Sequence, residues 1–159
     1  MKVQCPVCQM EVEEGDLALV YLRMHFAFCS EQCRERFQAT PHLYVGLPGQ
    51  KAAKQEGREL LKRRCIQLDT ALTPEEMRML EDALTAMMGI KHLVVEEDAV
   101  QITYDLIEAT EEQIERTLLE TGAQLGSRWT ERLRRAWVHY TEDCEALSMQ
   151  VTDRGQHHH

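Results

Sequence analysis

The chain has 159 residues, a net charge of −9 and a 43% apolar composition, within the range of a globular protein of one medium or two small domains. The acidic balance argues against broad electrostatic attraction to nucleic acid. No stretch approaches the roughly 20 apolar residues of a membrane-spanning helix, and "MKVQCPVCQM" lacks the apolar core of a secretory signal, so the sequence predicts no membrane insertion and a cytoplasmic location.

Residues 1–46 are dense in cysteine and aromatics. "CPVC" (5–8) reads as a tight turn, and "LALVYLRMHFAF" (17–28) suits one long strand or two paired strands. Ser30 offers an N-cap for a helix over "EQCRERFQA", ending before Pro41. "GLPGQ" (46–50) breaks the pattern. Between Lys51 and Arg64 six basic residues face two glutamates, a local +4 in a chain whose remainder is −13. Residues 47–64 are expected to be a basic, helical linker.

Residues 65–126 read as strand, helix, strand, strand, helix, short strand. "CIQLDT" alternates. Thr73-Pro74-Glu75-Glu76 combines an N-cap, Pro at the first helical position and Glu at the third. Met77, Leu80, Leu84 and Met87 or Met88 recur at helical spacing and read as core, with Gly89 ending the run. "KHLVVEE" and "AVQITYDL" are two strands, and Val100, Ile102 and Tyr104 share one face of the second. Thr110 to Gln113 repeats the capping box, and Gly122 closes that helix before "AQL". The order βαββαβ predicts an α+β, ferredoxin-like domain: two helices on one face of a four-stranded antiparallel sheet, the other face open.

Residues 127–150 predict one amphipathic helix. Trp129, Leu133, Ala136, Tyr140, Cys144 (or Asp143) and Leu147 form a stripe, which Trp137 widens. Such a face is expected to bury its tryptophans against the open sheet face, in its own chain or exchanged in a homodimer. Residues 151–159 form a tail. His157 to His159 read as part of a purification tag and are excluded from metal arguments.

The cysteines carry the chemistry. Their spacing, Cys5-x2-Cys8-x20-Cys29-x3-Cys33, gives two close pairs, the arrangement by which structural zinc takes four ligands in a tetrahedron. Cys29 lies just before a helix and Cys33 in its first turn, where thiolates are stabilised. A unit of some 45 residues with few large aliphatics also needs a staple. One Zn²⁺ per chain on Cys5, Cys8, Cys29 and Cys33 is therefore expected, with copper or another soft metal as the alternative. Met10 reads as packing against the knuckle rather than as a ligand, and His25 as a solvent-facing strand residue. Cys65 and Cys144 read as buried small hydrophobes.

"CPVCQMEV" followed by "HFAFCSEQCRERFQATPHLYVG" resembles a YHS domain of the TRASH group over residues 3–46. Cys5, Pro6, Cys8 and Met10, then Phe26, Cys29, Ser30 and Cys33, then Phe37, Pro41 and Tyr44 carry the resemblance. It implies a treble-clef-like zinc unit of the kind associated with heavy-metal sensing, trafficking and export. Gln9 stands where that family usually has Gly. Residues 64–125 are similar to a heavy-metal-associated domain in element order. That family's M-x-C-x-x-C metal loop is replaced here by "LDTALTPEE", which has no cysteine, and Asp69 and Thr70 cannot substitute for two thiolates toward a soft ion. With no nucleophile triad, phosphate loop or paired-carboxylate motif in view, the expectation is a metal-binding protein of heavy-metal homeostasis and not an enzyme. Its second domain would contact a protein partner. The alternatives are an interaction module with purely structural zinc and, disfavoured by charge, a nucleic-acid-binding zinc protein.

Overall fold

The computed structural model describes residues 1–151, with the Trp129 side chain outside the described set. Residues 152–159 of the expected tail, with His157 to His159, lie outside it as well. The chain is mixed α and β and divides into two units. The first comprises residues 1–59 with the chain from Glu145 onward, and the second runs from Leu60 to Cys144. Among the described residues no helix is long and apolar enough to cross a membrane.

The first unit holds two small hairpins and one helix. β1 (Lys2–Gln4) pairs antiparallel with β2 (Glu11–Glu13), and β3 (Leu19–Tyr21) with β4 (Met24–Phe26). "LALVYLRMHFAF" is thus two strands, not one, because Leu22 and Arg23 both take left-handed backbone (φ 50° and 64°). α1 (Glu31–Ala39) starts where Ser30 accepts the Cys33 amide. The core is aromatic. The Phe37 ring lies within 6.0 Å, centroid to centroid, of Tyr21, Phe26, Phe28 and Tyr44. Tyr21 donates to His42 Nε2 at 2.8 Å, while His42 Nδ1 donates to the Val45 carbonyl at 3.0 Å.

The basic stretch is not a helix. Ala52 and Ala53 are buried, and the Lys54 amide donates to the Leu43 carbonyl at 2.9 Å. The chain then enters β5 (Leu61–Gln67), four residues earlier than the alternation of "CIQLDT" suggested. The reason is pairing. Asp105 Oδ1 accepts the Leu60 amide, and the whole of β5 aligns with the strand that ends at Asp105. Within "LKRRCIQ" side chains alternate outward and inward, so the positive charges divide between two faces instead of forming one basic patch.

The second unit continues with α2 (Pro74–Thr85), β6 (Ile90–Val95), β7 (Ala99–Asp105) and α3 (Glu111–Glu120). Both capping boxes form, at Thr73 and Thr110. Gly89 takes φ +83°, and a Cβ there would meet Glu108 Cβ at 2.8 Å, so only glycine fits the turn into β6. The sheet order is β5-β7-β6, all antiparallel. The expected fourth strand is reduced to a single bridge, Leu68 with Leu125. Ile66, Val100, Ile102 and Tyr104 from the sheet, Leu80 and Leu84 from α2, and Ile114 and Leu118 from α3 form the core.

α4 (Trp129–Met149) overturns one expectation. It does not cover the open sheet face. It packs on the helical side, against α3 and the core face that carries Tyr104, and the residues it turns inward are not the predicted stripe. Val138, Glu142 and Ala146 are buried. Leu133, Ala136, Tyr140, Cys144 and Leu147 are exposed, and Trp137 is 65% exposed rather than buried. The cause is Glu142. Its carboxylate accepts the Tyr104 hydroxyl and, at 2.8 Å, the Glu111 amide at the first turn of α3, while Arg64 lies 3.5 Å away. A carboxylate over a helix N-terminus is favourable, and three polar groups of the unit are satisfied by one side chain.

Glu142→Ala is expected to destabilise the protein by about 3 kcal/mol, since it removes the acceptor of the Tyr104 hydroxyl and of the Glu111 amide and the counter-charge of Arg64. Urea unfolding measures this. Trp137→Ala, on the outer face, is expected to change the stability of the monomer by less than about 0.5 kcal/mol in the same assay at high dilution.

Candidate metal centre

The four predicted ligands come together. Cys5 sits just after β1 and Cys8 three residues on. The turn closes through the Gln9 amide to the Cys5 carbonyl and the Cys5 amide to the Met10 carbonyl, both at 2.8 Å. Gln9 takes φ +68° there, a left-handed conformation that glycine adopts without strain. Cys29 follows β4, and Cys33 lies in the first turn of α1, held by the Ser30 cap.

All four Sγ atoms lie within 4.8 Å of one another. Cys8 and Cys29 are 3.2 Å apart, and Cys29 and Cys33 3.4 Å. A Zn²⁺ ion with Zn–S bonds of about 2.3 Å in a tetrahedron requires S···S separations of roughly 3.8 Å, so small adjustments admit the ion. All four are free thiols. Cys5 and Cys33 are wholly buried, while Cys8 and Cys29 keep partial exposure.

The crowded thiols perturb one another's ionisation. The Cys5 thiol is driven far below its ordinary range, by hydrogen bonds from Cys33 and Cys8 first and by the amides of Cys8 and Cys29 after them. Cys33 is pushed far up, by Cys5, by Cys8 and by burial. Cys8 is pushed up to about 12: its bond with Cys33 pulls it down, but Cys5, burial and Cys29 outweigh that. The cluster therefore shares its protons. Four thiolates coexist in this space only around a cation, and soft or borderline metals suit an all-sulfur donor set.

The other singled-out residues stay outside this group. Met10 is half exposed, and His25 is exposed on β4. Cys65 and Cys144 are exposed rather than buried. Cys65 points outward because the alternation of β5 places it on the face opposite buried Ile66; Cys144 lies on the outer side of α4.

A second cluster was not foreseen. Glu111 and Glu115 stand one turn apart on α3, and His139 of α4 bonds Glu115 at 2.9 Å, with the three donor groups within 4.8 Å of one another. Its sequence signal, Glu-x3-Glu, is ordinary on a helix surface, and only the docking of α4 buries it. Arg134 lies 4.0 Å from Glu111 and Arg135 3.9 Å from Glu115. These guanidinium groups offset part of the carboxylate charge, so the cluster reads as a buried charge network. Burial first, and then Glu115, raises the Glu111 carboxyl to about 8. The hydrogen bond to Glu115 raises His139 above the usual imidazole range.

Two outcomes follow. One Zn²⁺ per chain is expected, and Cys33→Ser is expected to abolish stoichiometric binding and the near-ultraviolet signal of the aromatic core together, because metal binding and folding are coupled in so small a unit. Isothermal titration and circular dichroism read these; a Cys33→Ser protein that retains stoichiometric zinc contradicts the assignment. For the buried network, both Glu111 and His139 hold protons more tightly folded than unfolded. Their contribution is complete below the unfolded values and declines as pH rises toward about 8, the Glu111 value. The thermal midpoint should fall across that window, and Glu111→Gln should flatten the fall.

No protein-family model, curated protein or solved structure matches the chain.

Proposed function

We propose that this is a metal-binding protein of heavy-metal homeostasis, holding one Zn²⁺ or a competing soft ion on Cys5, Cys8, Cys29 and Cys33. The observation that carries the reading is the convergence of four free thiols within 4.8 Å. The resemblance of residues 3–46 to a YHS domain of the TRASH group adds the link to metal handling. A bound Zn²⁺ would supply a closed charge centre and no open position for catalysis. The chain's own residues then decide whether the metal can leave. Cys8 and Cys29 are partly exposed, and a groove lined by Met10, Glu11, Asp16 and Leu17 runs up to Cys29. An incoming thiol or chelator can attack from that side, which favours trafficking or sensing over permanent storage.

The second unit supports a contact role. Its strand order β5-β7-β6, with Leu125 bridged to the free side of β5, is the order of a split βαβ domain lacking most of its last strand. The loop where a heavy-metal-associated domain would carry its cysteines is tied down instead. Asp69 Oδ1 accepts the Ser127 amide at 3.0 Å, and the Asp69 amide donates to the Gln124 carbonyl at 2.8 Å. This domain is a scaffold for a protein partner, not a second metal carrier.

A purely structural zinc is the competing reading, favoured by the complete burial of Cys5 and Cys33 beside the aromatic core. The rate of metal loss separates the two. Zinc-loaded protein mixed with excess chromogenic chelator is expected to release its metal within seconds to minutes by associative attack at Cys29. Retention over many hours would make the site structural. Cu(I) and Cd²⁺ competition under the same conditions ranks the preferred ion.

A further inference from the structure

The exposed residues of α4 keep a strict order. Leu133, Trp137, Tyr140, Cys144 and Leu147 are separated by four, three, four and three positions, the a/d repeat of a coiled-coil seam. Leu133, Trp137, Tyr140 and Leu147 are each more than half exposed. The Trp137 and Tyr140 rings lie 6.0 Å apart and form one continuous apolar surface. The opposite face of the helix is anchored in its own chain at Val138 and through Glu142. The helix therefore has two working faces, and the a/d face is held out on a rigid support.

We propose that this seam pairs with the same seam of a second copy, the two α4 helices running antiparallel about a twofold axis. A heptad seam is complementary to another heptad seam. The exposed apolar side chains offer on the order of 500 Å² per copy, so two copies bury about 1,000 Å² before the flanking residues are added, the lower edge of a stable specific interface. Charge selects the direction. The exposed charged residues of α4 are Arg132 and Arg134 in its N-terminal half and Asp143 in its C-terminal half. Antiparallel pairing sets the basic half of each helix beside the acidic half of the other, whereas parallel pairing sets like beside like. In the antiparallel seam a positions pack against d positions, which places Cys144 of one copy level with Leu133 of the other. The pairing is independent of the metal reading, since it uses no ligand of the cysteine cluster.

Sedimentation equilibrium of the zinc-loaded full chain tests it. The expected mass is twice 18.4 kDa, falling to that of a monomer in Trp137→Glu and in Leu133→Lys. Both variants should keep the wild-type circular dichroism and thermal midpoint measured at dilutions where wild type is also monomeric. Met79→Glu, an equally exposed apolar position on α2, should remain dimeric. For direction, oxidation by copper–phenanthroline in a Cys65→Ser background should crosslink the Leu133→Cys variant to Cys144 of the second copy, identified by peptide mass. A wild-type chain that is monomeric at every soluble concentration, or a dimer that survives both seam substitutions, overturns the proposal. A Cys144–Cys144 crosslink without the Leu133 substitution overturns the antiparallel direction.

Discussion

Four sulfur atoms within 4.8 Å of one another set the terms for the first unit. Their donors are thiols whose full ionisation is forbidden by mutual repulsion, and whose neutral forms gain little from such close approach. A cation removes that conflict. The unit has two three-residue hairpins and a nine-residue helix, too little to enclose a large aliphatic core. What it has instead is a ring cluster around Phe37 on one side of α1 and the sulfur cluster at the N-terminus of the same helix. Helix α1 therefore joins the two halves of the unit's stabilisation, and loosening either one loosens the other.

The second unit is organised by a different kind of buried polar group. Its sheet and two helices make an ordinary apolar core, but the last helix is positioned by a carboxylate. Glu142 answers a tyrosine hydroxyl, a helix-terminal amide and an arginine at once. Such a group contributes less to net stability than an apolar side chain of the same size would, yet it tolerates only one docking angle. Specificity of that kind explains how a helix with a strong apolar stripe can present the stripe to solvent.

Function follows from this division of labour. The first unit offers a candidate metal site of four cysteines, two of them partly accessible. The second contains none of those cysteines, and the loop after β5 is closed by hydrogen bonds from the Ser127 amide to Asp69 Oδ1 and from the Asp69 amide to Gln124. It contributes a rigid platform from which α4 displays an apolar seam. The chain thus combines a four-cysteine cluster able to hold a metal with an exposed apolar stripe on α4.

Much of this was legible from residue order alone, because it is local. The two close cysteine pairs, the Ser30, Thr73 and Thr110 caps and the face shared by Val100, Ile102 and Tyr104 depend on neighbours within a turn or a hairpin, where spacing dictates geometry. Other features needed the tertiary structure. "LKRR" is basic and reads as the end of a helical linker, yet it pairs with β7, whose last residue, Asp105, lies more than forty positions away and accepts the Leu60 amide just before β5. Glu-x3-Glu becomes a buried charge network only when Arg134, Arg135 and His139 are laid over it. The inner face of α4 could not be chosen by hydrophobicity, since a single buried glutamate with three distant partners outweighs four apolar residues. Periodicity reports that a helix has an apolar face; only the partners it finds decide whether that face is turned inward.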